Sequence, residues 1–132
     1  MAEGVTQLKV RGLGKLTGAL RRAGVDVRDM KTANARVARV VVDAAVPITP
    51  RATGALAGSI RPAQRVSGAI VYAGGGRVRY ARFVEYGTGK MRARPYLTRA
   101  AGDSQDDWLD VYARELQNLM DRVAARSDGT GD

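Results

Sequence analysis

The stretch YARFVEYGTGKMRARPYLTRA, residues 80–100, holds a lone glutamate, Glu85, between aromatic residues and a Gly-Thr-Gly turn. A carboxylate in that setting can act as a general acid, as a ligand, or as the acceptor that fixes a corner of the chain. Paired-carboxylate hydrolysis needs a second acid, and the acids that follow Glu85 begin eighteen residues on, at Asp103. Thr53, Ser59, Ser67 and Thr88 carry hydroxyls that could serve as nucleophiles, but the chain has neither histidine nor cysteine. A lysine or carboxylate would have to act as base, and no spacing supports a Ser-Lys pair. The same absences remove disulfides, thiolate chemistry and Cys/His zinc sites. The glycines do not make a phosphate loop: AGGGRVR lacks the G-x-x-x-x-G-K-[ST] frame, and GTGK is followed by Met91. Glycine in these places reads as turn chemistry. The residues therefore predict a protein that is not an enzyme and takes no cofactor, metal or small-molecule substrate, with Glu85 as a structural corner or an intersubunit contact.

Charge is the second signal. The net charge is +9, and it is unevenly spread. Residues 45–100 carry ten basic side chains against the single acid Glu85, whereas residues 101–132 carry three basic and eight acidic ones. A basic middle with an acidic end suits either a polyanion or the acidic face of a neighbouring copy. Arg51, Arg77, Arg79, Arg82, Lys90, Arg92 and Arg94 form the candidate basic surface, facing a subunit or DNA. Tyr72, Tyr80, Phe83, Tyr86 and Tyr96 are interleaved with or adjacent to it. Arginines on phosphates and aromatics on bases are the means of many single-strand binders, so nucleic-acid binding around residues 77–96 is the alternative reading. No helix-turn-helix or finger pattern supports it.

The elements that must position these residues follow from periodicity. LTGALRRAG predicts a short helix ending at Gly24. Apolar residues at three- and four-residue intervals predict a long helix over Val27–Ala45, closed by Pro47. PITPRATG reads as a loop. LAGSIRPAQ and SGAIVYAG read as a strand hairpin, and YARFVEYG as a third extended element. Beyond Pro95, the spacing of Trp108, Val111, Tyr112, Glu115, Leu116, Leu119, Met120 and Val123, with one polar intrusion, predicts a helix to near the end. The expected fold is α+β: an antiparallel sheet of three to four strands packed on a long helix of the N-terminal half and a C-terminal helix. Residues 1–126 are expected to form one domain, with residues 1–12 flexible and 127–132 disordered. No apolar run predicts a signal peptide or membrane span.

Three separated segments then carry a resemblance. Pro47-Ile-Thr-Pro-Arg-Ala-Thr53-Gly54-Ala-Leu56-Ala-Gly-Ser59-Ile60 comes first. Tyr80-Ala-Arg-Phe-Val84-Glu85-Tyr86-Gly87-Thr88 comes next, then Arg94-Pro95-Tyr96-Leu97. In this order they resemble the HK97 gp10-like tail-component proteins of long-tailed bacteriophages. The resemblance implies a non-enzymatic virion protein of the neck or upper tail, involved in tail completion or head–tail joining. It implies ring assembly with neighbouring neck and tail proteins as partners, after synthesis in the host cytoplasm. It also implies that Thr53, Gly54, Leu56, Ser59 and Ile60 start the first strand. Tyr80, Val84, Glu85, Gly87, Thr88, Pro95 and Tyr96 would make the corner, and the family implies no catalytic residue.

Overall fold

The computed structural model describes residues 5–10, 16–50, 54–75, 78, 80–90 and 92–130, and the side chains of all these except residues 82, 83 and 127–130. Along the chain run β1 (Val5–Val10), α1 (Thr17–Arg22), α2 (Val27–Ile48), α3 (Ala55–Gly58), β2 (Arg61–Pro62), β3 (Ala69–Gly74), α4 (Ala81–Tyr86), α5 (Tyr96–Asp103) and α6 (Gln105–Thr130). The strands form an antiparallel sheet in the order β1-β3-β2. Val5 pairs with Gly74 and Val10 with Ala69, and Arg61 pairs with Tyr72.

The fold is α+β, and α2 organises it. Asp26 caps its start by accepting the Arg28 N–H at 2.7 Å. Its buried stripe includes Met30, Val37, Val41 and Ala45, at helical spacing. Val37, Val41 and Ala45 share the main core with Ala69, Val71 and Ala73, which are alternate residues of β3 and so share one face. Alanines on both elements let helix and sheet approach closely. A second cluster joins Leu20, Val25, Met30 and Ala33 to Leu119 of α6.

Several expectations are corrected. The long helix runs through Pro47 to Ile48 rather than closing at Ala45. A proline so near the end deletes one backbone bond, and the Thr49 hydroxyl donates to the Ala45 carbonyl at 2.6 Å to finish the last turn. The third strand comes from the N-terminal segment expected to be flexible, because Lys9 and its neighbours pair along β3. YARFVEY is helical, as α4. LAGSI contributes the short helix α3, and only Arg61–Pro62 of the expected strand pairs with β3. The C-terminal helix is two, α5 and α6, broken at Ser104, whose hydroxyl turns back to the Ala100 carbonyl at 2.7 Å. Helix continues to Thr130, into the tail expected to be disordered. No described helix is long and apolar enough to cross a membrane.

Candidate functional site

The short helix α4 ends at Gly87, whose φ of 76° lies in the left-handed region that glycine enters without a Cβ clash. Its last turn meets the start of α5. The Arg94 N–H donates to the Val84 carbonyl at 2.7 Å. The Tyr96 hydroxyl donates to the Ala81 carbonyl at 3.1 Å. Glu85 is buried and reaches the first turn of α5: one carboxylate oxygen accepts the Leu97 N–H at 2.7 Å. The other accepts the Thr98 hydroxyl at 2.7 Å and its N–H at 3.4 Å.

These are the N–H groups that a capping side chain normally serves. Pro95 occupies the cap position of α5 and makes no side-chain cap bond. Glu85 supplies the cap from another helix, and its negative charge sits at the positive end of the α5 dipole. It does not bind the Gly87-Thr88 turn that follows it. Nor is it paired with Arg92 or Arg94, both exposed. Burial, with the Glu85 charge second, raises the Tyr96 hydroxyl well above the ordinary tyrosine range. Tyr80 and Tyr86 are 42 % and 63 % exposed.

The other motif is a second tie. Gly54 adopts φ 80° before α3, and Leu56 and Ile60 enter the core. The Ser59 hydroxyl donates to the Leu56 carbonyl at 2.6 Å and accepts the Gly74 N–H at 2.9 Å, joining α3 to the end of β3. These residues therefore form a helical turn and its exit rather than the start of a strand. Pro47 lies inside α2. Thr53, Arg51, Arg77 and Arg79 lie outside the described residues, as does the Arg82 side chain. Lys90, Arg92 and Arg94 are exposed on the connection from α4 to α5, and Thr88 is exposed there too.

Sequence reasoning missed three partnerships. Glu115, a polar intrusion in the apolar face of α6, is buried and accepts from Arg36 at 2.8 Å. Arg122 pairs with Asp29 at 2.8 Å, so α6 is clamped to α2 by two ion pairs. Asn34 donates from its amide to the carbonyls of Arg65 and Val66, at 2.9 and 3.0 Å. A charged residue interrupting an otherwise apolar helix face was the available signal for Glu115.

Among the described residues, no group of three or more acidic, histidine or cysteine side chains could hold a metal. The described residues assemble backbone ties and exposed cations. The class is a small α+β protein whose distinctive residues build corners. The chain belongs to the bacteriophage HK97-gp10-like family of tail components, whose family model matches residues 14–87. That span contains α1 to α4, the Ser59 tie and Glu85 itself, and stops short of Arg94-Pro95-Tyr96 and of the α5 donors that Glu85 accepts from. No curated protein and no solved structure shows significant similarity to the chain.

Proposed function

We propose that this tail-component protein is a non-enzymatic part of the phage neck or upper tail, assembling as a ring that joins or completes the tail at the head–tail interface. The observation that carries the reading is the family match, which covers residues 14–87. The segregated charge supports it, because a repeated head-to-tail contact needs two unlike faces on each copy. Ser59 and Glu85 then serve to hold the frame on which those faces are displayed. The test is to delete the gene and image the lysate, with labelled protein located in wild-type particles. Unjoined heads and tails, and label at the neck, are expected. Infectious particles that form normally without the protein would overturn the reading.

A second reading has its own observation. The exposed Tyr80 and Tyr86 lie in the same segment as the exposed Lys90, Arg92 and Arg94, a pairing of ring and cation that suits nucleic acid. Six or more phosphate contacts would give affinity that falls about a thousandfold or more between low and moderate salt. Weak binding to duplex and single strands at physiological salt is the result expected of an assembly protein.

A further inference from the structure

Two surfaces of the chain carry opposite charges that are not neutralised within one copy. Arg92 and Arg94 are exposed, and among the described residues no carboxylate lies within ion-pair distance of either. They rim two adjoining clefts of about 380 and 230 Å³, which share Pro50 and Arg94. Ile48 lines the larger cleft and Val84 the smaller, so the floor is apolar beneath a cationic edge.

The other surface is the start of α6. Asp106, Asp107 and Asp110 are exposed there, also with no described cationic partner. Beside them the exposed Leu109, Ala113 and Met120 recur at intervals of four and seven residues, which aligns them in one stripe. The stripe lies off the face that carries Glu115 and Leu119 into the interior, and Leu109 and Met120 are each 43 % exposed.

We propose that the start of α6 in one copy docks into the arginine-rimmed clefts of the next copy. This rests on the assembly reading above and specifies its contact faces. Leu109 supplies an apolar anchor for the Pro50–Val84 floor, while Asp106 and Asp110 meet Arg92 and Arg94. An apolar centre with an arginine-rich edge is the composition of a protein interface. The two signs sit on different elements, so the contact joins unlike faces and repeats around an axis. A nucleic acid would engage the arginines but leave the apolar stripe uncovered, and the aspartates would repel it. A second copy satisfies both surfaces together.

Charge reversal tests the pairing. One variant carries Arg92→Glu and Arg94→Glu, and the other carries Asp106→Arg and Asp110→Arg. Sedimentation should show each alone dissociated, with wild-type helicity and melting, because like charges now face each other. Mixed in equal amounts they should reassociate, since every contact in an alternating array is again between opposite charges. The absence of native cysteine permits a second measurement. A short bis-maleimide should link Arg92→Cys copies to Asp110→Cys copies in a mixture, and neither variant to itself. Self-linking of Asp110→Cys alone, a mixture that stays dissociated, or a wild-type chain that is monomeric at every concentration reached would overturn the proposal. Those results would leave the neck or tail assignment standing, which fails separately if particles form without the protein.

Discussion

Glu85 and Glu115 are both buried carboxylates, 3 % and 7 % exposed, and their partners differ in kind. Glu85 is held by neutral donors on the first turn of α5, twelve and thirteen residues along the chain. Glu115 is held by a guanidinium 79 residues away, and its other oxygen receives only a long bond from Asn118 at 3.5 Å. The Arg36 side chain that partners it is 56 % exposed. A guanidinium open to water can be rehydrated and screened, so its attraction is worth less than its distance suggests. The N–H groups that face Glu85 cannot leave without unwinding α5. The first arrangement fixes a corner, and the second adjusts how two long helices lie together.

The largest effect expected from this contrast is at Glu85. Glu85→Ala orphans two helix N–H groups and a threonine hydroxyl and leaves a void, a loss of about 2–4 kcal/mol. Urea denaturation followed by circular dichroism measures it, and an unchanged midpoint would remove the corner from the account. Arg36→Met should cost less, about 1–2 kcal/mol, because it leaves the Glu115 carboxylate poorly partnered but keeps an unbranched aliphatic side chain at that position. Added salt should shrink the Arg36→Met penalty and leave the Glu85→Ala penalty almost unchanged. Equal salt sensitivity would erase the distinction between the two carboxylates.

How far the sequence discloses this arrangement depends on the range of the interaction. The long helix α2 is legible because its apolar spacing persists over several turns, and its cap at Asp26 is local. Tyr80–Tyr86 is not legible as a helix. Aromatic and β-branched residues suit a strand equally well, and the bond that commits the segment is made with residues 94–98. The fraying expected of the N-terminal residues fails for a related reason: β1 is stabilised by β3, about sixty residues on, and nothing within VTQLKV declares that partner. Glu85 is recognisable as a corner residue because it is the only acid in a basic segment. Its acceptor role toward α5 is hidden because Pro95, a residue without a capping side chain, marks the helix start and leaves the cap to a distant group.

The smallest effect concerns Tyr96, and it tests whether the Glu85 corner is closed to water. Tyr96→Phe removes the bond to the Ala81 carbonyl and should cost about 1 kcal/mol near pH 8. Burial, then the neighbouring Glu85 charge, pushes the Tyr96 hydroxyl above its ordinary range in the folded protein. In the unfolded chain it titrates near pH 10. Above that pH the unfolded chain gives up the proton while the folded one keeps it, so stability falls as pH rises. At about pH 11 this favours unfolding of the wild type by about 1.4 kcal/mol, a loss that the phenylalanine variant does not share. Tyr112, also raised by burial, contributes equally to both proteins and cancels in the difference. The stability gap between wild type and Tyr96→Phe should therefore close, or change sign, between about pH 8 and pH 11. Adding Glu85→Gln should weaken the crossing by removing the second cause of the shift. A gap that stays constant across this range would mean that Tyr96 ionises as freely in the folded protein as in the unfolded one, and that water reaches the corner Glu85 is argued to seal.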